Sequence, residues 1–274
     1  MFDTDYPLTR EQIESYRKNG FVQLPEVITG NELKRMRDAV SAAVEAEMRG
    51  DRRSFHEKSS YEQIFIQKIN VWERHPELAE FSLSRRFGNI AARLSGYRMR
   101  IFTDHALFKE ARTGAKTPWH QDSHYWPHQQ KGQQLSLWLA LSDATTQSGC
   151  MSFLPGTQVH HDIPPVDLQN PNVSKFFRAP EPRTRAVCCP LKAGSCTFHN
   201  GLTFHYAGPN RSDEMRKAFA IIYMPDGTAY SGRAHRLDLK RFAVGDPFSG
   251  EVFPIVSDVP NLKCLRPAEM AVPL

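Results

Sequence analysis

The 274-residue sequence lacks several features that mark particular classes of protein. No apolar run approaches the roughly 18 residues that a membrane-spanning helix requires, and the first residues show no basic-then-apolar signal pattern. No linker-like tract, internal repeat or low-complexity segment divides the chain. These absences predict a single domain over residues 1–274, in a soluble cytoplasmic protein with no membrane partner.

Cysteine is scarce and has no regular spacing. The five cysteines are an odd number and show no paired spacing of the kind that binds zinc. They are Cys150, Cys188, Cys189, Cys196 and Cys264. We therefore expect reduced thiols in a cytosolic compartment.

The positive charge of the chain is not concentrated in one region. The net charge is +5 and the pI is near 9.0, but the basic residues are scattered and interleaved with acids. This pattern indicates a mixed, solvated surface and predicts no nucleic-acid partner. An arginine-bearing stretch at 233–241 could still attract an anionic small molecule. Both a monomer and a homodimer agree with the sequence.

The amino-terminal part of the chain is predicted to be helical. Thr9-x-x-Gln12 and Thr29-x-x-Glu32 both match the capping box that begins a helix, and apolar residues at helical spacing follow the second pattern. A third helix is predicted over residues 76–94, before a glycine that can end it.

From residue 99 onwards the pattern changes to short apolar runs with glycine and proline between them. The predicted strands are 100–108, 135–141, 150–154, 195–199, 202–205 and 218–224. Strands at such intervals favour a sandwich or a barrel. Two long irregular stretches, 50–61 and 156–185, interrupt the pattern. The second is rich in proline, and we expect it to act as a lid.

The chemically most informative segment is Trp119-His120-Gln121-Asp122. In an extended segment, residues i and i+2 point to the same side, so His120 and Asp122 can reach one metal ion. Two imidazoles and one carboxylate bind one face of non-haem iron(II) and leave the opposite positions open. His205, at the end of an apolar run, is the candidate third ligand. Arg216 opens a strand-like run, and its planar fork suits the distal carboxylate of an oxo-acid.

Further segments accompany this motif: the opening run at 16–25, Trp138 within the apolar run 137–141, and Leu154-Pro155-Gly156-Thr157. Together with the iron motif they resemble the phytanoyl-CoA dioxygenase family of iron(II)- and 2-oxoglutarate-dependent oxygenases. The resemblance covers residues 9–226. It implies a mainly β fold with flanking α-helices: a double-stranded β-helix (a cupin-like jelly roll) with the amino-terminal helices packed outside.

The resemblance also implies a metal site, a co-substrate site and a reaction. Iron(II) would be held by His120, Asp122 and His205, and 2-oxoglutarate by Arg216, with Gln121 and Trp138 beside it. With O2, the enzyme would hydroxylate or otherwise oxidise an unactivated C–H bond of a small metabolite, natural-product intermediate or acyl thioester. Succinate and CO2 would be released.

The substrate pocket and one departure from the family pattern follow from the same resemblance. His124, Tyr125 and Trp126 correspond to substrate-pocket sequence. Many relatives carry a small hydroxyl residue two places after the distal histidine, where this chain has Ala207. Another residue would then help to hold 2-oxoglutarate, and Gln67, Lys68 and Asn70 are candidates.

The sequence leaves several alternatives open. His160-His161-Asp162 is a second His-x-Asp triplet, but Ile163-Pro164-Pro165 follows it and indicates a loop. His199 could replace His205 as the distal ligand. A zinc-dependent hydrolase could use His120, Asp122 and His124. A jelly-roll binding protein without catalytic activity is a third class.

Overall fold

The computed structural model describes residues 4–59, 62–113, 115–161, 163–168 and 184–258. Within these ranges the α-helices are α1 (Arg10–Asn19), α2 (Gly30–Met48), α3 (Pro76–Ser82) and α4 (Arg85–Ser95). The strands are β1 (Phe21–Leu24), β2 (Ile66–Ile69), β3 (Met99–Lys109), β4 (Thr117–His120), β5 (Leu135–Ala140), β6 (Met151–Phe153), β7 (Val187–Cys189), β8 (Cys196–Asn200), β9 (His205–Ala207) and β10 (Arg216–Pro225). No helix in the described part of the chain has the length and apolar character that crossing a bilayer demands.

The strands form two antiparallel sheets. One has six strands in the order β1-β8-β5-β10-β3-β2, and the other has four in the order β4-β9-β6-β7. Apolar side chains of both sheets pack together, among them Trp138 and Ala218 of the first sheet and Met151 and Phe153 of the second. This two-sheet arrangement is the jelly roll that the resemblance implied.

The helices cover the outer face of the six-stranded sheet. Along β5, Leu135, Leu137 and Leu139 point into a core shared with side chains of all four helices. The alternate residues of this strand, such as Trp138, point to the other sheet. Both faces of β5 are therefore buried, because side chains alternate between the faces of a strand. The predicted packing of the helices outside the β-structure is confirmed.

The two predicted capping boxes have different outcomes. Thr9 and Gln12 make both reciprocal hydrogen bonds at the start of α1, at 3.2 and 2.9 Å. Thr29 occupies the cap position of α2 but makes no side-chain capping bond, so that prediction is wrong. Glu32 instead forms a two-pronged ion pair with Arg86 of α4, at 2.7 and 3.1 Å. A charge-assisted tertiary contact has displaced the local one.

The helix predicted over residues 76–94 is two helices. Ser84 has an extended ψ of 125° between α3 and α4, which breaks the helical path. The Ser82 hydroxyl donates to the buried Asp104 carboxylate at 2.6 Å, and the Ser84 carbonyl accepts the Gly88 N–H at 3.0 Å, within the first turn of α4. Gly96 ends α4 in the left-handed region, at φ 80°.

Five of the six predicted strands coincide with observed ones, and the sixth is displaced. Residues 202–204 form a turn, and β9 begins at His205 instead of ending there. Leu202 and Phe204 are buried but do not belong to a strand, and their alternating apolar character is the reason that a strand was predicted here. The short strands β1, β2, β4 and β7 were not among the predicted strands, although the segment 119–122 was expected to be extended. The assignment of residues 1–274 to one domain stays a prediction.

Candidate active site

The candidate metal ligands converge because β4 and β9 are neighbours. His120 and His205 are directly opposite each other in this antiparallel pair, with ring centroids 4.1 Å apart. Asp122 follows on a short 3-10 turn, Asp122–His124, after Gln121 has continued the extended path. Its Oδ1 lies 3.4 Å from His120 Nε2 and 3.6 Å from His205 Nε2. The three ligand atoms all lie within 4.8 Å of one another, a spacing at which they can hold one ion.

Both histidines are oriented by the backbone. His120 Nδ1 lies 2.8 Å from the Pro118 carbonyl, and His205 Nδ1 lies 3.0 Å from the Thr203 carbonyl. A proton on each Nδ1 is donated to these oxygens, which leaves the Nε2 lone pairs to bind a metal. Burial lowers the pKa of His205 well below its usual range, and this favours the neutral ring that metal binding requires.

The carboxylate of Asp122 is ionised despite its burial. Burial alone would raise its pKa, but His205, His120 and His199 hold the pKa of Asp122 well below its usual range when their rings carry the protons that a bound metal would replace. Two imidazoles and one carboxylate on one face are the donor set of non-haem iron(II) oxygenases. The donors therefore fit iron(II) in chemistry and in spacing.

The second oxygen of Asp122 is also held. Ser136 on β5 and His199 on β8 are register partners, and both reach Oδ2, at 3.3 and 3.4 Å. His199 therefore approaches the carboxylate from the opposite sheet and does not belong to the ligand cluster. Its other ring nitrogen, Nδ1, is buried and has no partner among the described residues.

A buried cation lies in the same cavity. Arg216, the first residue of β10, is 3% exposed, and its Nη1 donates to the Leu107 carbonyl at 3.2 Å. The guanidinium carbon lies 5.1 Å from the ring centroid of Trp138. Burial lowers the pKa of Arg216 to about 10, so the group is still charged at neutral pH. Within the described ranges no carboxylate pairs with it, and its Nε is unbonded. A buried cation of this kind fits an incoming carboxylate.

Gln121 and His124 lie differently from the sequence expectation. Neither contributes to the cavity lining. Gln121 Nε2 donates to the carbonyls of Leu202 and His160, at 2.6 and 2.9 Å, and its Oε1 lies 2.9 Å from His124 Nε2. These contacts join the ligand turn to the segment before β9, so Gln121 supports the site from behind instead of facing a co-substrate. His124 is committed to the same contact and does not join His120 and Asp122 in a zinc site.

Tyr125 and Trp126 line the cavity, and their contact with a substrate stays a prediction. The Tyr125 hydroxyl donates to the Val166 carbonyl at 2.5 Å, which ties the predicted lid to the ligand turn. Residues 169–183 of that lid, and Asp162 of the second His-x-Asp triplet, lie outside the described residues. The lid and the role of the second triplet stay predictions.

The cavity has a volume of about 570 Å³ and extends well beyond the ligands. Several of its residues were not identified from the sequence, although Arg233 and Arg236 belong to the arginine-bearing stretch. They are Ile64, Phe65, His105, Thr117, Arg233, His235 and Arg236. Of the three candidates for a second co-substrate donor, Gln67 lines the cavity, whereas Lys68 and Asn70 do not line it. The Nε2 atom of Gln67 lies 3.2 Å from Nδ1 of His105. No local motif marks these positions, because they meet only after the strands have paired.

Comparison with protein families gives a match that covers most of the chain. A family profile described as Phytanoyl-CoA dioxygenase (PhyH) matches residues 16–218. The human protein named "Phytanoyl-CoA dioxygenase, peroxisomal" is 24% identical over 250 residues, which span 85% of this chain and 71% of the human one. The cytoplasmic location of this chain stays a prediction.

Solved structures of non-heme, alpha ketoglutarate dependent enzymes also match most of the chain. The carbocyclase SnoK, described as non-heme and alpha ketoglutarate dependent, from nogalamycin biosynthesis, is 29% identical with a TM-score of 0.78, over 91% of this chain and 97% of its own. The epimerase SnoN, solved with Fe3+, alpha ketoglutarate and nogalamycin RO, is 25% identical with a TM-score of 0.71, over 90% and 97% of the two chains.

Proposed function

Because this chain belongs to the phytanoyl-CoA dioxygenase family of iron- and 2-oxoglutarate-dependent oxygenases, we propose that it hydroxylates an unactivated C–H bond of a small-molecule substrate. One observation carries the proposal: His120, Asp122 and His205 form a donor set for one ion in the cavity that also holds the buried Arg216, which pairs with no carboxylate among the described residues. Iron(II) is the metal and 2-oxoglutarate the co-substrate, with O2 as the oxidant. Bound iron supplies the activation of O2, and 2-oxoglutarate is consumed to succinate and CO2.

The residues of the chain have distinct tasks in this reaction. Arg216 binds the distal carboxylate of 2-oxoglutarate through its planar fork, and Trp138 supports the guanidinium from one side. The apolar side chains of Leu107, Ala220 and Ile222 line the cavity and exclude water. Ser136 and His199 keep Asp122 oriented.

Thr117 takes the place of the hydroxyl residue that many relatives have at position 207. It is the register partner of Ala207 across β4 and β9, and both residues line the cavity. A hydroxyl on the neighbouring strand therefore stands beside the position where the usual hydroxyl is missing. We assign Thr117 as the second donor to the 2-oxoglutarate carboxylate.

The reaction type depends on which substrate hydrogen is placed at the iron. SnoK and SnoN have this fold and are described as a carbocyclase and an epimerase. We infer hydroxylation for this chain from the family profile, and we expect the substrate to be a compact natural-product intermediate or metabolite. Tyr125, Trp126 and Phe65 provide an aromatic wall for such a molecule.

The test begins with anaerobic protein titrated with iron(II) and then with 2-oxoglutarate. Chelation of the metal by a keto acid needs two adjacent open positions, so a weak visible charge-transfer band is expected. Admission of O2 with a metabolite panel should then release succinate. The variant Asp122→Ala should lose both signals, whereas Asp213→Ala, an exposed carboxylate paired with Arg112, should keep them. Hydrolysis that depends on zinc and consumes no O2 would refute the proposal.

A further inference from the structure

A second positive region lies at the mouth of the cavity, away from Arg216. The segment after β10 contributes Arg233, His235 and Arg236 to the lining. Arg216 is buried, whereas Arg233 and Arg236 are exposed. The two ends of the cavity therefore carry separate cationic groups, one at the floor and one at the mouth.

Arg233 is positioned by a contact with the backbone. Its Nη1 donates to the backbone carbonyl of His124, and it forms no ion pair within the described ranges. A carbonyl satisfies one of the five guanidinium donors and carries no net charge. The contact fixes one edge of the guanidinium and leaves its other donors for a ligand.

The co-substrate does not need this charge either. When iron(II) and 2-oxoglutarate are bound, the two charges of the metal and that of Arg216 balance Asp122 and the 2-oxoglutarate dianion. At the mouth, Asp167 offsets one of the two arginines in the charge count. Among the described residues of the lining, one positive charge then remains in the loaded cavity, where low-dielectric walls strengthen its attraction for an anion.

We propose that the substrate carries a carboxylate, which Arg233 binds at the mouth of the cavity with Arg236 beside it. This inference rests on the proposed function and names the substrate class of that site. The planar guanidinium fork matches a carboxylate in two parallel hydrogen bonds. The aromatic residues Tyr125 and Trp126 lie next to His124 in the chain and face the body of the same substrate.

The position of Arg233 favours a compact acid over a coenzyme A thioester. His124, whose carbonyl holds Arg233, is two residues from the ligand Asp122, so their Cα atoms lie at most about 7 Å apart. The anion that Arg233 binds therefore lies beside the turn that carries this ligand. In a coenzyme A thioester the long pantetheine arm separates the acyl group from the phosphates, and these anions would lie farther away.

The experiment compares two probes of nearly the same shape, 2-naphthoate and 2-naphthalenemethanol. Each is titrated by calorimetry into the anaerobic protein loaded with iron(II) and 2-oxoglutarate, so that Arg216 is already occupied. The acid should bind about ten-fold or more tightly than the alcohol. Arg233→Gln should remove this preference by weakening the acid and leaving the alcohol unchanged. Arg233→Lys should keep part of it.

Control variants separate the effect of the Arg233 charge on ligand binding from any effect of the substitution on the folding of the protein. Arg241→Gln changes another arginine of the same stretch, whose guanidinium stacks on Phe242 and does not line the cavity, and it should leave both affinities unchanged. Arg236→Gln should weaken the acid to a smaller extent. If Arg233→Gln melts at a lower temperature than the parent, the affinities for the acid and the alcohol are compared in Arg236→Gln instead, provided that its melting temperature is unchanged.

Two outcomes would overturn the proposal. Equal or undetectable binding of the acid and the alcohol means that the mouth does not select a carboxylate. Tighter binding of the naphthoyl coenzyme A thioester than of the free acid means that Arg233 binds the phosphates of coenzyme A and not a substrate carboxylate. Failure of the proposed function is separate, because it would appear as a missing charge-transfer band. The affinities for 2-naphthoate and 2-naphthalenemethanol can then be compared without metal in the Arg216→Gln variant. In that variant the acid cannot bind at position 216 on the floor of the cavity.

Discussion

Ser136 and His199 lie directly opposite each other on β5 and β8, and both side chains reach the same oxygen of Asp122. The carboxylate on the turn after β4 is therefore held by a pair from the six-stranded sheet. One oxygen of Asp122 faces the two histidines, and the other faces this pair. The two sheets thus meet at the carboxylate, which fixes the ligand before a metal binds.

The first prediction concerns this pair. Ser136→Ala and His199→Phe should each weaken iron(II) binding about ten-fold to 100-fold, because a hydrogen-bonded carboxylate is better oriented than a free one. Competition with a chromophoric iron(II) chelator measures the affinity. Ser152→Ala, in β6 and without a contact to Asp122, is the control. His199→Gln, which retains a donor, should recover part of the loss. Unchanged iron affinity in Ser136→Ala and His199→Phe would show that the pair only fills space.

The second prediction concerns the floor of the cavity. Arg216→Lys keeps the charge but loses the bidentate fork, so the binding free energy of 2-oxoglutarate should weaken by roughly 1 to 3 kcal/mol. The charge-transfer band, followed as 2-oxoglutarate is added, reports this affinity. Iron affinity should barely change, and Arg112→Lys at the exposed ion pair should behave as the parent. Normal saturation in Arg216→Ala would mean that another residue anchors the co-substrate.

The third prediction tests the assignment of Thr117. Thr117→Val keeps the shape and removes the hydroxyl, so 2-oxoglutarate affinity should fall by the value of one hydrogen bond to a charged group, roughly 1.5 to 3 kcal/mol. Thr117→Ser should retain the affinity. Ala207→Ser in the Thr117→Val background should restore it, because the two positions are register partners. Parent-like affinity in Thr117→Val would exclude the hydroxyl as a donor.

The fourth prediction concerns acid stability. His128 is packed between Phe102 and Phe248, and both of its ring nitrogens are buried without a partner among the described residues. Burial, and to a smaller extent the nearby His235, lowers the pKa of His128 to about 3. The unfolded chain takes up a proton at this ring near pH 6.5, but the folded protein does so only near pH 3. The neutral ring therefore contributes stability above pH 6.5 that is lost as the pH falls towards 3.

His128→Phe should remove this dependence. Between pH 7 and pH 5 the free energy of unfolding of the parent should fall by about 2 kcal/mol more than that of the variant. Urea unfolding at the two pH values measures the difference. His56→Phe changes an exposed histidine and should follow the parent. His105 and His235 remain in both proteins, so their titration cancels. An identical pH dependence in His128→Phe and the parent would mean that His128 is protonated in the folded state.

Local patterns predicted those parts of the fold that depend on neighbours in the chain. The capping box at Thr9 and five of the strands follow from residue type and periodicity. The second capping box does not form, because Glu32 pairs with Arg86, which is distant in the sequence. The strand at 202–205 failed because Leu202 and Phe204 are buried by a turn that Thr203 and Thr157 hold in place. Thr203 donates to the Gly20 carbonyl at 2.8 Å, and Thr157 accepts the Phe204 N–H at 3.0 Å.

The sequence by itself determined which chemistry this protein can perform. Residue types together with the family resemblance predicted His120, Asp122 and His205 as the iron(II) ligands and Arg216 as the co-substrate anchor, and the spacing within the first pair places both side chains on one side of an extended segment. Only the tertiary structure decided that Gln121 bonds to the carbonyls of Leu202 and His160, that Ser136 and His199 share one oxygen of Asp122, and that Arg233 stands at the mouth. These relationships depend on strand register and on which loop crosses the cavity, and neither is encoded by residues that are adjacent in the chain.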